Sequence, residues 1–281
     1  MKRCLIVINT YKEESRTLGQ EMAEFVGRRG VASSFFRFDG FCTENPFPGS
    51  DFVITLGGDG TVLFAARGCA EAGIPVFPVN LGEFGFIASV QKDDWQAALA
   101  EFLDGTAAFE ERSMLHAALS SDGRPEEPLG AGLNDVVICA GTAARTVLLD
   151  ISYNGMSLGT MKGDGVIVST ATGSTAYSAS AGGPIIDPEL DAFVLTPVNA
   201  FSLSCRPLVL NSRGEIGVRV LPSREQDTIL TVDGQKPLVL KAGDCVKIRR
   251  LPAKVKLVGC TTEKFYGALC SKLNWSGGPH A

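Results

Sequence analysis

This sequence has few histidines, no paired cysteine motif and no long hydrophobic run, and each absence excludes a class of protein. Its 281 residues include only two histidines, His116 and His280. This scarcity disfavours a His-centred triad or a His-rich metal site, whereas a carboxylate could still act as a general base. The eight cysteines form no C-x-x-C pair. In a chain of this length they indicate reduced, mostly buried thiols rather than a disulfide scaffold or a zinc module.

Charge and hydropathy exclude further classes. The formal net charge is −5 and Lys and Arg do not cluster, so we expect no nucleic-acid or membrane partner. No apolar run approaches the roughly 18 residues that span a bilayer. The first apolar run, Cys4–Ile8, is shorter than the core of a secretory signal, about 7–15 residues, and is typical of an opening strand. We therefore expect a cytoplasmic protein.

Residues 1–110 alternate between strand-like and helix-like patterns. Short apolar runs predict strands buried on both faces, and apolar residues at helical spacing predict helices between them. Such alternation is typical of an α/β domain with a parallel sheet and flanking helices, with functional loops at the carboxyl ends of the strands. The predicted strands are Cys4–Asn9, Phe52–Leu56 and Ile74–Val79, and the predicted helices are 18–26, Val62–Ala72 and 95–103.

Residues 111–260 have a different pattern. Short segments rich in Val, Ile and Thr, among them Thr228–Val232, Val246–Arg249 and Val255–Val258, are separated by turn residues at intervals of about 8–12 residues. This predicts an all-β domain, an antiparallel sandwich-like structure, with an exposed hairpin loop at Ser120–Pro128. Residues 261–281 predict a short amphipathic helix and a tail, which we expect to pack on the first domain.

The loop Gly57–Thr61, Gly-Gly-Asp-Gly-Thr, lies between a predicted strand and a predicted helix. Its glycines let the backbone approach a phosphate closely, and the free N–H groups of the helix start favour an anion. Asp59 repels phosphate, so a base or a magnesium anchor suits it better. The simpler alternative is a tight turn with an Asp helix cap. Neither a P-loop nor a G-x-G-x-x-G fingerprint occurs in the sequence.

Three further stretches could carry chemistry. The loop Asn80–Phe86 is a weak signal alone, because a glycine turn over core aromatics is an alternative. For the pair Asn134-Asp135 taken alone, an ordinary polar turn is the favoured interpretation. The stretch Lys162–Pro184 is less ordinary, since it combines glycines, many hydroxyls, one Lys, one Asp and one Tyr. Small polar side chains at this density predict a close-fitting nucleotide pocket.

Together these stretches resemble the NAD kinase family in order and spacing. The matching segments are Gly57–Thr61, Asn80–Phe86, Asn134-Asp135, Lys162–Gly165, Thr172–Pro184, Thr196–Val198, Leu203–Pro207, Asp233–Gln235 and Lys272–Trp275. The resemblance covers essentially the whole chain. The first of these motifs also occurs in diacylglycerol kinases and phosphofructokinases, whereas the stretch from 162 to 184 is much more specific.

The resemblance implies an enzyme that transfers the γ-phosphate of ATP, or phosphate from polyphosphate, to the 2′-hydroxyl of the adenosine ribose of NAD. It implies magnesium as cofactor, with no ligands assigned, and a homodimer or homotetramer. Asp59 would take the hydroxyl proton, beside Gly60. Asn134 and Asp135 would hold the nicotinamide-side ribose. The implied adenosine pocket is Thr175, Ala176, Tyr177 and Ser180; the implied phosphate-donor loop is Gly57, Gly58, Gly60 and Thr61; further implied NAD contacts are Phe86, Arg145, Lys162, Asp164, Asn199 and Gln235.

Two positions depart from the family pattern, and two rival functions stay open. Phe84 replaces a usual Leu or Ile and Ala200 a common proline, which puts the choice between NAD and NADH in doubt. A lipid or sugar-phosphate kinase would need a membrane-facing segment or more basic loops. A dinucleotide sensor without turnover would not need Asp59, so the presence of this carboxylate favours the enzyme.

Overall fold

The computed structural model describes residues 1–42, 44–82, 85–120, 125–142, 145–223 and 227–273. The chain divides into two compact units. Unit 1 contains Met1–Arg112 and the chain from Ala253 onward, and unit 2 contains Ser113–Pro252. The sequence-based domain boundaries, 1–110, 111–260 and 261–281, stay predictions. The helices are α1 (Glu13–Gly27), α2 (Asp59–Cys69), α3 (Trp95–Leu103), α4 (Tyr177–Ser180) and α5 (Thr262–Leu273).

Unit 1 is built on a parallel sheet. Its strands lie in the order β4-β3-β1-β2, and β5 pairs with β4 on the other side. Both central strands, β3 and β4, are buried at every position, which explains why their sequences are continuous apolar runs. The strands are β1 (Arg3–Asn9), β2 (Ala32–Phe38), β3 (Phe52–Gly57), β4 (Val76–Asn80) and β5 (Val90–Gln91).

Unit 2 is built from antiparallel strands in two sheets. The strands that follow β5 are β6 (Phe109–Ser120), β7 (Glu127–Gly132), β8 (Asp135–Ala140), β9 (Val147–Tyr153), β10 (Met156–Gly163), β11 (Gly165–Thr170), β12 (Ala192–Val198), β13 (Leu208–Asn211), β14 (Ile216–Val220), β15 (Thr228–Val232), β16 (Leu238–Leu240) and β17 (Cys245–Val258). One sheet has the order β13-β12-β11-β8-β15-β16. In the other, β10, β9, β14 and the first part of β17 are neighbours.

The core of unit 2 lies between these sheets. It contains Ile138 and Val168 from the first sheet and Leu149, Ile151 and Val218 from the second, all buried. Two apolar faces that share one core define a sandwich. The predicted fold class, an α/β domain followed by an antiparallel all-β domain, is therefore confirmed.

Several element boundaries differ from the predicted ones. Helix α2 begins at Asp59, three residues before the predicted Val62, so the carboxylate lies in the first turn of the helix. The predicted strands Val246–Arg249 and Val255–Val258 are parts of the single strand β17, because Pro252 is exposed and does not break it. Strand β2 was not predicted. The part of Ser120–Pro128 from 121 to 124 and the tail beyond 273 lie outside the described residues.

No helix within the described ranges combines the length and the apolar character that a bilayer span requires.

Candidate active site

The glycines of the loop after β3 have different structural roles. A Cβ at Gly57 would collide with the Thr61 hydroxyl, so the packing of α2 on β3 requires glycine there. A Cβ at Gly58 or at Gly60 would meet nothing within 4 Å, and Gly58 has an ordinary φ of −106°. The fold therefore does not require glycine at 58 or 60. Open space at these two positions leaves the backbone accessible, and a ligand contact there stays a prediction.

This difference predicts opposite effects on stability. Gly57→Ala should lower the free energy of unfolding by about 1–3 kcal/mol, because Thr61 and α2 must shift. Gly58→Ala should leave it unchanged or raise it by about 0.4–1 kcal/mol, because alanine restricts the unfolded chain. Thermal denaturation of both variants checks this. Equal melting temperatures for the two variants would contradict the assignment.

The carboxylate of Asp59 is fixed by the loop that follows β4. Its Oδ2 accepts a hydrogen bond from the N–H of Phe86 (2.9 Å), and its Oδ1 accepts from Ile87 (3.2 Å) and Ala88 (3.0 Å). A Cβ at Gly85 would lie 2.9 Å from Oδ1, so glycine leaves room for the carboxylate. Three backbone donors hold the carboxylate in one orientation.

A lysine of α5 lies beside this carboxylate. Lys272 donates through Nζ to the carbonyl oxygen of Gly85, and its Nζ lies 5.7 Å from the centre of the Phe86 ring. Burial lowers the pKa of Lys272, and the negative charge of Asp59 opposes that shift. The ring of Phe86 also lies 6.2 Å from that of Phe265 on α5. Helix α5 therefore supports the loop that holds Asp59.

Thr61 of the predicted donor loop faces the interior. It is buried, and its hydroxyl accepts a hydrogen bond from Asn9 Nδ2 at 3.1 Å. The position of the hydroxyl between Gly57 and Asn9 gives Thr61 a packing role, and a contact with a phosphate donor stays a prediction.

In unit 2, a single carboxylate organises the turn at Asn134-Asp135. Asp233 accepts the N–H groups of Leu133 (2.9 Å), Asn134 (2.8 Å) and Asp135 (3.2 Å). Its own N–H donates to the carbonyl oxygen of Asp135 at 2.9 Å. Asp233 adopts a φ of 49°, in the left-handed region that Asp tolerates, and Gly234 follows it. Gln235 Nε2 lies 3.4 Å from the Asp233 carbonyl oxygen.

Both side chains of this turn are buried. Within the described residues, Asn134 Oδ1 has no hydrogen-bond partner. Burial, and then the charge of Asp233, raise the pKa of the Asp135 carboxyl to about 7. A buried amide oxygen without a donor and a buried carboxyl with a raised pKa both lower the stability of the fold. Groups that destabilise the fold in this way are typical of ligand-binding sites.

The glycine- and hydroxyl-rich stretch packs directly on this turn. A Cβ at Gly173 would collide with the carbonyl oxygen of Asn134. The N–H of Gly173 donates to Thr170 Oγ1 (3.0 Å), which itself donates to the carbonyl oxygen of Leu133 (2.6 Å). The structure thus brings the predicted ribose pair next to the segment that begins the predicted adenosine pocket.

The predicted adenosine residues lie in the two short helical turns after β11. Thr175 ends a 3-10 turn, and Tyr177 and Ser180 bound α4. Ser178, which was not singled out, is buried and shares a 2.8 Å hydrogen bond with Thr196. The Tyr177 side chain is 49% exposed, so its ring face is open to a partner.

A third group joins Lys162, Asp164 and Asn199. Asn199 has a φ of 45° and donates through Nδ2 to Asp164 Oδ2 at 2.8 Å. The Nζ of Lys162 lies 4.9 Å from the centre of the Phe201 ring, a cation–π contact. Arg145 lies just before β9 and is exposed. Phe84 lies outside the described residues.

Sequence reasoning assigned no role to Asp233 or Lys272. The Asp-Gly pair at 233–234 was a visible turn signal, but nothing local indicates a contact with residues about a hundred positions earlier. Within the described ranges, no group of three or more His, Cys, Asp or Glu side chains could hold a metal ion.

Comparison with known proteins assigns the class of the protein. Residues 43–107 match the model of the ATP-NAD kinase N-terminal domain, and residues 133–260 match that of the ATP-NAD kinase C-terminal domain. A chain built from these two domains is a phosphotransferase. The chain is also 46% identical over 279 residues to the NAD kinase of Treponema denticola, an alignment that covers 99% of this chain and 98% of that protein. The chain belongs to the NAD kinase family, which confirms the resemblance found in the sequence.

Two solved structures share the fold. Yeast NADH kinase complexed with NADH aligns with a TM-score of 0.86 at 22% identity, over 99% of this chain and 89% of that one. An NAD kinase from Archaeoglobus fulgidus in complex with ATP aligns with a TM-score of 0.77 at 23% identity, over 97% and 98%. At these sequence identities, the similarity establishes the fold alone.

Proposed function

We propose that this chain transfers the γ-phosphate of ATP to the 2′-hydroxyl of the adenosine ribose of NAD, which gives NADP. Membership of the NAD kinase family supports the activity. The observation that carries the mechanism is the carboxylate of Asp59, which the N–H groups of residues 86–88 fix at the start of α2.

Asp59 is the proposed proton acceptor. In the transfer, the 2′-oxygen forms a bond to the γ-phosphorus while the bond from that phosphorus to the leaving diphosphate oxygen breaks. The hydroxyl proton passes to the Asp59 carboxylate. A carboxylate suits this role because the proton becomes more acidic as the oxygen–phosphorus bond forms. Gly60, the proposed NAD contact beside this carboxylate, is exposed.

The nicotinamide-side ribose is the proposed ligand of Asn134 and Asp135. Ribose hydroxyls would donate to the unpartnered Asn134 Oδ1 and to the Asp135 carboxylate, which satisfies both groups. Thr175, Ala176, Tyr177 and Ser180 are the proposed adenosine contacts, with the open Tyr177 ring as a stacking surface. The remaining proposed NAD contacts are Phe86, Arg145, Lys162, Asp164, Asn199 and Gln235.

Magnesium is the proposed cofactor, and it would neutralise charge on the donor phosphates. The described residues offer no cluster of carboxylates for it, and both oxygens of Asp59 already accept hydrogen bonds. The described part of the chain therefore supplies no cage of carboxylates, and the donor phosphates would bring the ion with them. Polyphosphate is the alternative donor.

We also propose a cytoplasmic homodimer or homotetramer. The large apolar side chains of Phe201 and Leu203, two and four residues after Asn199, are 69% and 86% exposed. Apolar side chains exposed in sequence next to a predicted ligand contact support a subunit interface there.

The test is NADP formation by the purified protein from NAD, with ATP or polyphosphate and magnesium. We expect turnover with at least one donor. Clear NAD binding without NADP from either donor would replace the kinase by a dinucleotide sensor. Absence of both binding and turnover would redirect the search to lipid and sugar-phosphate acceptors.

A further inference from the structure

Two of the peptide groups that bind Asp59 also accept hydrogen bonds on their opposite side. In a trans peptide, the C=O of one residue and the N–H of the next are coplanar and point in opposite directions. The N–H of Phe86 therefore shares a peptide group with the carbonyl of Gly85, and the N–H of Ala88 shares one with the carbonyl of Ile87. A group that binds either carbonyl oxygen is thereby linked to an oxygen of Asp59.

The first of these links starts at Lys272. Its Nζ donates to the carbonyl oxygen of Gly85, and the N–H of Phe86 in the same peptide group donates to Asp59 Oδ2. Hydrogen bonds in such a chain polarise one another, so the positive charge of the ammonium group makes the Phe86 N–H a stronger donor. Lys272 is half-buried, so solvent screens its charge less than at an exposed position.

The second link starts at the buried thiol of Cys260. Its Sγ donates to the carbonyl oxygen of Ile87 at 3.0 Å, and the N–H of Ala88 in the same peptide group donates to Asp59 Oδ1 at 3.0 Å. Burial raises the pKa of the Cys260 thiol to about 11, so the thiol keeps its proton at neutral pH. Ser89 Oγ also lies 3.1 Å from this sulfur. A thiol is a weak donor, so we expect the second link to contribute less than the first.

The loop is not close-packed where these two donors bind it. A cavity of about 330 Å³ borders the loop there, and its lining includes Gly85, Ala88, Cys260 and Lys272. A void supplies no atoms for packing contacts. The positions of the two peptide groups, and with them the direction of the Asp59 carboxylate, therefore depend on their hydrogen-bond partners.

We propose that Lys272 and Cys260 position the proposed base, Asp59, each through one peptide group of the loop after β4. Both are positioning residues, since neither is proposed to touch a substrate. A carboxylate that is held less firmly meets the 2′-hydroxyl in the reactive geometry less often, so their loss should lower kcat. This inference rests on the proposed function and adds two residues to the support of its base.

The test is a double-mutant cycle on kcat for NADP formation. Lys272→Met should lower kcat on the order of 10–100-fold, the range typical of losing an outer-shell partner, with the KM for NAD within about threefold of wild type. Cys260→Ala should lower kcat about threefold, because the thiol is the weaker donor. In the Asp59→Asn background, neither substitution should lower kcat further, because the carboxylate through which both act is absent.

Two controls are matched to these variants. Lys264, also on α5, donates to the carbonyl oxygen of Ser89 at 3.4 Å, but the N–H of that peptide group belongs to Val90, which is not among the described donors to Asp59. Lys264→Met should therefore keep the wild-type kcat. Cys4 is also a buried thiol of unit 1, on β1, and Cys4→Ala should lower the melting temperature without lowering kcat.

The outcomes separate this inference from the proposed function. An unchanged kcat in Lys272→Met, an equal loss in Lys264→Met, or a further loss when Lys272→Met is added to Asp59→Asn would overturn the inference. Wild type that makes no NADP would refute the function, and urea denaturation then applies the same cycle without turnover. The losses in denaturation midpoint from Lys272→Met and Asp59→Asn should be less than additive, and additive losses would overturn the inference.

Discussion

Asp59→Asn should lower kcat for NADP formation by about 10²–10⁴, the usual contribution of a general base. The amide cannot accept the 2′-hydroxyl proton at neutral pH. Asparagine keeps one acceptor oxygen for the N–H groups of Ile87 and Ala88, so the loop after β4 should stay in place. Its NH₂ group replaces the oxygen that accepts from Phe86, so one hydrogen bond is lost. We expect a loss in rate much larger than the loss in NAD affinity.

The matched control for this prediction is Asp94→Asn. Asp94 is also an aspartate at the start of a unit 1 helix, but it is exposed and its side chain makes no capping hydrogen bond. Its variant should keep the kcat of wild type. The measurement is steady-state NADP formation together with the NAD dissociation constant and the melting temperature. If Asp59→Asn retained more than a tenth of the wild-type kcat, Asp59 would not be the base.

The parts of the site that sequence reasoning found are those with a local signal. Strands β3 and β4 are fully buried, so their sequences are continuous apolar runs. This pattern predicted both strands and, with them, the position of the loop between β3 and α2. The spacing of Phe265 and Leu269 predicted α5 because both face the interior of unit 1. The glycines at 57–60 were visible as a motif, but only the structure distinguishes Gly57, which packing requires, from Gly58 and Gly60.

The parts that sequence reasoning missed depend on contacts between distant residues. Asp233 holds a turn 98 to 100 residues earlier, and Lys272 reaches a carbonyl group 187 residues earlier. Neither contact leaves a periodicity or a spacing in the sequence. The sequence predicted two strands in place of β17 because a proline usually ends a strand. The strand tolerates Pro252 because this residue is exposed in the folded chain, which the sequence does not reveal.

Asp135→Asn should stabilise the protein above neutral pH and weaken NAD binding. The pKa of the buried Asp135 carboxyl is raised to about 7, whereas an aspartate in an unfolded chain titrates near pH 4. As the pH rises from about 4 to 7, the unfolded chain loses this proton while the folded protein keeps it. Stability is therefore lost over that interval. A shift of about three pKa units corresponds to roughly 4 kcal/mol at most.

The variant removes this penalty because asparagine does not ionise. At pH 8, the melting temperature of Asp135→Asn should exceed that of wild type by roughly 5 °C, and the difference should shrink towards pH 4. Asp39→Asn, at an exposed position, should show no such dependence. A constant difference between variant and wild type over this range would show that Asp135 is not the titrating group.

The same carboxyl should make NAD binding depend on pH. An ionised Asp135 accepts both hydrogen bonds that a ribose diol offers, whereas the protonated form must keep one oxygen as a donor. With a pKa of about 7, the KM of wild type for NAD should rise roughly tenfold from pH 8 to pH 6, one pKa unit below the midpoint. In Asp135→Asn the KM should be high and constant with pH. A wild-type KM independent of pH would place the ribose elsewhere. A gain in stability at pH 8 together with a loss in NAD affinity would show that the fold bears the cost of burying this charge because the ligand needs it.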